Sequence, residues 1–252
     1  MLWKIGLKSS STSCCITPRI KANDKRKFLI DFRNKLVNNR VFIALELAMV
    51  IALIAADQFN LIRVPLSLTI PLILIGWFSL RLRGLRWSDV GLRSPGNWKK
   101  TIALAMIIAI VHQLLSTFVL IPFLQQITGQ PINLTLTEQI KGNLGMLGIS
   151  LVIAWLLAAF GEEMVYRGYM LNRFANVLEP QLIRWVVAYL VSGLLFAWVH
   201  QYQGMVGVID NMVSAAIWGG LYLYSGRNLW MPIIAHGVYD TIAFIFAYLG
   251  II

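Results

Sequence analysis

Residues 147–167 run LGISLVIAWLLAAFGEEMVYR, and the reading of this stretch decides the fold. Leu147 to Phe160 is an unbroken apolar run of the kind a helix needs to sit in lipid, where crossing the hydrocarbon core takes roughly 20 mainly apolar residues. At its end two carboxylates stand side by side, Glu162 and Glu163, with Arg167 one helical turn beyond the second. A charged side chain at membrane depth costs on the order of 3 kcal/mol or more, so an intramembrane acid is a functional candidate by default. Two adjacent ones need a reason.

Working outward, the 252-residue chain is 58% hydrophobic and only 13% charged, which is too apolar for a soluble domain of ordinary composition. It reads as an all-α, polytopic transmembrane helix bundle of about seven spans. These are expected near Val41 to Phe59, Val64 to Leu80, Ile102 to Leu124, Leu144 to Phe160, Leu182 to His200, Met205 to Tyr224 and Leu229 to Ile252. The remainder leaves no room for a second soluble domain.

The formal net charge of +11 suggests a nucleic-acid partner until the basic residues are placed. Ten Lys and Arg residues lie at or before Arg40 and six between Arg81 and Lys100, the two flanks of the first helical pair. The opposite connections, Leu61 to Arg63 and Gln125 to Gly142, carry one basic residue each. Under the positive-inside rule this is the pattern of a membrane topology, with a lipid bilayer as the partner and no nucleic acid. Alternation then sets the N-terminus, Arg173, Arg184 and Arg227 on the cytoplasmic side and the C-terminus outside, in an integral protein of the cell membrane.

Residues 1–40 form a basic arm, expected to become helical toward Arg33 and to lie against anionic lipid. Its first 23 residues are Ser-rich and free of acids, as organellar transit peptides are, but lack the apolar core of a secretory signal. Cys14 and Cys15, the only cysteines, are adjacent and define no disulfide framework; they read as unmodified thiols. In the segment 81–100, Trp87 and Trp98 are expected to anchor at the headgroups. The loop Gln125 to Gly142 is either a short lid or a connector. No internal repeat or inverted pair of broken helices is present.

The candidate chemistry lies late in the chain, where Gly161, Gly168, Ser192, Gly193, Gly204, Gly207, Gly219, Gly220 and Gly237 favour close helix packing in lipid. Glu163 and Arg167 are spaced i, i+4 and pair on one helix face. That leaves Glu162, turned about 100° away, as a candidate general base. Phe196 and His200 share the same spacing, as do His236 and Asp240, where a carboxylate one turn away fixes an imidazole tautomer. His112, without an acidic neighbour in sequence, reads as a core or interfacial histidine. Two histidines and two acids in consecutive Gly-rich spans favour one shared polar site.

The stretches Glu162-Glu163-Met164-Val165-Tyr166-Arg167, Phe196-Ala197-Trp198-Val199-His200 and His236-Gly237-Val238-Tyr239-Asp240 resemble the motifs EExxxR, FxxxH and HxxxN of the CPBP family. That family comprises the membrane-embedded CAAX-processing proteases and the bacteriocin-processing or immunity proteins, also called Abi. The lead-in Ser225-Gly226-Arg227-Asn228-Leu229-Trp230-Met231-Pro232 is similar to the family's as well. The resemblance covers the motif core 144–252 of a membrane domain spanning 41–252.

What the resemblance implies is an intramembrane endopeptidase acting on membrane-associated peptides or proteins, prenylated CaaX peptides among them. In the family's account Glu162 acts with His200 to activate water, while His236 and the residue matching Asp240 stabilise the oxyanion. Glu163 belongs to the same catalytic set, with Arg167 and Phe196 in support. The family's Asn is replaced here by Asp240, and an ionised Asp cannot donate a hydrogen bond. Either Asp240 is protonated, or it orients His236 as the donor, or activity is lost.

No cofactor is required on this reading. The alternative within the enzyme class is zinc, held by His200, His236 and either Glu162 or Asp240, since catalytic zinc takes three protein ligands and a water. Outside that class, the alternatives are a non-enzymatic immunity or scaffold protein and a proton-coupled transporter. Geometry adds one constraint. At about 1.5 Å of rise per residue Glu162 and His200 lie roughly 24 and 27 Å along their helices from the turn near Pro180, but His236 is only about 10 Å into its own. Tilt or a partial sixth span has to close that gap.

Overall fold

Asn39, Asn97 and Asn143 each turn a side-chain oxygen onto a backbone N–H two or three residues ahead, at 2.8, 2.9 and 3.1 Å, and so start three of the long helices. The computed structural model describes residues 37–65, 67–135 and 137–252, with Asp31 and Lys35 before them. The basic arm and both cysteines fall almost wholly outside the described residues. Among those described, every regular element is helical.

Seven helices follow in order: α1 (Arg40–Gln58), α2 (Thr69–Leu82), α3 (Trp98–Thr128), α4 (Leu144–Val177), α5 (Gln181–Trp198), α6 (Gly204–Tyr224) and α7 (Trp230–Leu249). Five stretches are long and apolar enough to cross a membrane: α1, α3, α4, α7 and, counted from Gln201, α6. The apolar parts of α2 and α5 are shorter. The bundle turns large side chains outward, Leu45, Leu74, Phe78, Ile107, Leu156 and Leu190 among them, as a surface facing hydrocarbon requires.

Two helices run longer than the hydropathy predicts. Helix α3 begins at Trp98 because Asn97 caps it, and continues through a wide π turn, Ser116–Leu120, to Thr128. Pro122 accounts for the wide turn: it removes one N–H from the i→i−4 ladder and crowds the preceding turn. Helix α4 does not stop at Phe160. It passes through π turns at Ala154–Glu162 and Met164–Met170 before ending at Val177, so Glu162 and Glu163 stand in mid-helix and not at a helix end. Wide turns of this kind are frequent at functional sites.

The core has two main parts. Val50, Ile54, Leu72, Val165, Tyr169 and Met170 pack α1 and α2 against α4. Ala105, Ala109, Trp218, Leu221, Met231 and Ala235 pack α3, α6 and α7. Trp87 packs, partly buried, against buried residues of α4, whereas Trp98 is exposed. Gly161 and Gly237 hold helices close: a Cβ at either would come within 2.6 Å of Thr69 Cγ2 and of the Trp155 ring, respectively. Gly220, by contrast, faces open space.

The loops sort into two ends. At one, Arg40 at the start of α1 pairs with Glu179 of the α4–α5 link, and Arg93 Nη2 of the α2–α3 link donates to Gly226 O of the α6–α7 link at 2.9 Å. At the other, Gln201 Nε2 donates to Gln58 O at 3.1 Å, and Asn133 donates through its backbone and side-chain nitrogens to Gln203 O and Tyr202 O at 2.9 and 3.0 Å. The α3–α4 loop is thereby tied across the α5–α6 link.

Candidate active site

Glu163 is fully buried, and one of its oxygens joins two helices. Oε1 accepts from Arg167 Nη1 at 2.8 Å within α4 and from His236 Nδ1 at 3.0 Å on α7. Arg167 also donates from Nη2 to Ala215 O of α6 at 3.1 Å and lies 4.6 Å over the Phe196 ring of α5. The expected i, i+4 pair is therefore present and does more than neutralise a charge. It ties four helices to one carboxylate, whose other oxygen has no hydrogen-bond partner.

Phe196 is the hub of the second motif. Its ring lies 4.8 Å from His200 and 6.0 Å from His236, with Tyr166 edge-on at 5.2 Å. Phe196 also supplies a backbone acceptor: His200 Nδ1 sits 2.8 Å from Phe196 O. A carbonyl oxygen only accepts, so the proton is on Nδ1 and Nε2 of the neutral ring is left with its lone pair.

His236 is stacked on Trp218 at 5.9 Å with 15° between the planes. Its Nδ1 is held by Glu163, and its Nε2 is 3.5 Å from Asp240 Oδ2. The sequence assigns the orienting role to Asp240; the shorter bond, and so the stronger orientation, comes from Glu163. Asp240 is the second partner, on the other ring nitrogen.

Glu162, His200, His236 and Asp240 all line one cavity of about 810 Å³ inside the bundle. The divergence of the paired acids is as expected: Glu163 turns into the packing and Glu162 toward the cavity, where its Oε2 has no hydrogen-bond partner. The gap in helix depth closes because α7 starts inside the bundle. Leu229, just before it, is completely buried among Met164, Leu171 and Tyr222, so a short length of helix carries His236 to Glu163. The α3–α4 loop contributes Ile132, Asn133, Leu134, Thr137 and Ile140 to the cavity wall.

Among the described residues no three His, Cys, Asp or Glu side chains are grouped so as to hold a metal ion. No chemical step below passes through a metal.

Two intramembrane acids escape the motif reading. Asp210, on α6, accepts from Ser116 Oγ at 2.6 Å and Tyr239 O–H at 3.1 Å, and lines the same cavity. Glu46, on α1, pairs with Arg83 at 2.7 Å and accepts from Tyr169 O–H at 2.6 Å. The rule that singles out Glu162, an acid inside an apolar span, flags both. His112 is a core histidine, bonded through Nε2 to Ser214 Oγ at 2.9 Å and stacked 4.8 Å from Tyr239.

No curated protein and no solved structure matches the chain. A family model does match, over residues 145–242, which include all three motifs: this segment is similar to the family described as "Type II CAAX prenyl endopeptidase Rce1-like".

Proposed function

We propose that the protein is an intramembrane endopeptidase in which Glu162 activates a water molecule for attack on a peptide carbonyl admitted to the cavity. Its substrates are membrane-associated peptides or proteins, with prenylated CaaX C-termini as the leading class. The observation that carries this reading is that Glu162, His200, His236 and Asp240, from helices α4 and α7 and the α5–α6 link, line one cavity in the bundle interior.

The chemistry follows from which atoms are free. A water that donates one hydrogen to the Glu162 carboxylate and the other to His200 Nε2 turns a lone pair toward the carbonyl carbon. As the new C–O bond forms, Glu162 takes the water proton and negative charge develops on the carbonyl oxygen. The donor for that oxyanion is the proton held between His236 Nε2 and Asp240 Oδ2, aimed by the Glu163 bond to Nδ1. Collapse breaks the C–N bond, and Glu162 returns its proton to the leaving amine. On this account Asp240 serves in place of an amide because it shares a proton with His236. Glu163 and Arg167 position the ring, and Phe196 positions Arg167 and His200.

The basic end of the bundle faces the cytoplasm on this reading, with the N-terminus there and the C-terminus outside. The direct test is turnover by the full chain in lipid nanodiscs, using a fluorogenic farnesylated CaaX peptide and its unprenylated counterpart, with products identified by mass spectrometry. Release of a defined peptide is the expected result. Binding without product from either peptide would overturn the endopeptidase reading.

A further inference from the structure

The cavity has a second polar wall that the chemistry above leaves unused. Ser116 Oγ and Tyr239 O–H both donate to Asp210, at 2.6 and 3.1 Å, so their hydrogens are committed. A carboxylate offers about four acceptor positions, and two remain. Among the described residues Asp210 forms no ion pair with Lys or Arg. Beside it Gln113, only 3% exposed, donates from Nε2 to Thr117 Oγ1 at 2.8 Å, while its Oε1 has no hydrogen-bond partner. Gln113 and Asp210 both line the cavity.

This wall thus has acceptors to spare at Asp210 and Gln113 Oε1, and the two hydroxyl donors beside Asp210 are already engaged. A peptide entering a cavity within the membrane has the opposite need, because each main-chain N–H stripped of water must find an acceptor. The wall is also close to the proposed chemistry. Tyr239 precedes Asp240 in the chain, and the His112 ring stacked on Tyr239 meets Trp218, on which His236 is stacked.

We infer that Gln113 and Asp210 form a substrate subsite that accepts main-chain N–H groups of the bound peptide and holds it extended beside Glu162. The inference rests on the endopeptidase reading only in taking the ligand to be a peptide.

The test measures binding separately from turnover. Fluorescent farnesylated CaaX peptides, each with one backbone amide replaced by an ester, are titrated against the full chain carrying Glu162→Gln in nanodiscs. One ester position is expected to weaken binding about ten-fold, the scale of a hydrogen bond to a charged or buried acceptor. In Gln113→Leu or Asp210→Asn the all-amide peptide should bind about ten-fold more weakly, and the same ester should cost nothing further. The ester scan alone needs no change to the wall, so a variant that fails to fold leaves it intact. Uniform tolerance of every ester, losses that multiply between ester and variant, or no binding at all would each overturn the subsite. Turnover by the unmodified chain is read in parallel. Coupling without turnover upholds the subsite and removes the endopeptidase; turnover without coupling does the reverse.

Discussion

Glu163 and His236 are joined across α4 and α7 by a 3.0 Å hydrogen bond to Nδ1, and the same Glu163 oxygen accepts from Arg167 at 2.8 Å. One buried carboxylate therefore settles both a charge balance and the orientation of an imidazole. The two roles are separable by mutation. Glu163→Gln leaves the Arg167 guanidinium buried without its counter-charge, a loss of about 3–5 kcal/mol in comparable pairs. It is expected to lower the melting temperature in detergent by several degrees. Glu163→Leu with Arg167→Met removes both charges and should recover most of that stability, as apolar replacement of buried pairs does. It should not recover turnover, because His236 has lost its orienting partner. Recovery of both would reduce Glu163 to a structural residue.

Glu162 makes the complementary prediction. Its Oε2 is bonded to nothing in the protein and the residue faces the cavity, so Glu162→Gln removes a base without removing a packing contact. Turnover should fall by about 10²–10⁴-fold, the range for loss of a general base, with the melting temperature unchanged. Retention of a tenth of wild-type activity would be enough to remove Glu162 from the proton-transfer role.

Asp240 distinguishes two accounts of the oxyanion. Its carboxylate is 3.5 Å from His236 Nε2, and on the proposed mechanism the residue acts by sharing a proton with the ring. Asp240→Asn puts an N–H donor of its own at that place and is expected to keep activity within about ten-fold of wild type. Asp240→Ala supplies nothing, and losing one oxyanion donor typically costs about 10²–10³ in kcat. Equal activity in the two variants, measured with the same reporter peptide, would place the oxyanion elsewhere.

Much of this site is written in the local spacing of the chain. Helix periodicity puts Arg167 on the face of Glu163 and turns Glu162 away, and the structure shows both. Spacing within one helix carries no information about its partner across the bundle, however, and so Asp240 at i+4 looks like the orienting acid when Glu163, 73 residues before His236, holds the shorter bond. Helix ends are obscured for a similar reason. Hydropathy stops α4 at Phe160 because the next residues are polar, whereas a bundle that pairs those groups internally lets the helix run on to Val177. Asp210 was legible by the same criterion as Glu162; what hides it is the absence of an i+4 partner, since its donors Ser116 and Tyr239 come from other helices.

Gly161 gives a test of the packing that places Glu162. A Cβ at this position would meet Thr69 Cγ2 at 2.6 Å, closer than atoms can pack, so Gly161→Ala must push α2 and α4 apart at the residue next to the proposed base. Overpacking of this kind costs about 1–3 kcal/mol, and a displaced Glu162 should lower kcat in the same variant. Thr69→Ser removes the clashing methyl and keeps the hydroxyl. Combined with Gly161→Ala it is expected to restore both the melting temperature and kcat, although by itself it opens only a small void. If Gly161→Ala is neutral, or if Thr69→Ser fails to rescue it, then the α2–α4 contact does not set the position of Glu162, and the wide turns of α4 must be held by the Glu163–His236 side of the helix alone.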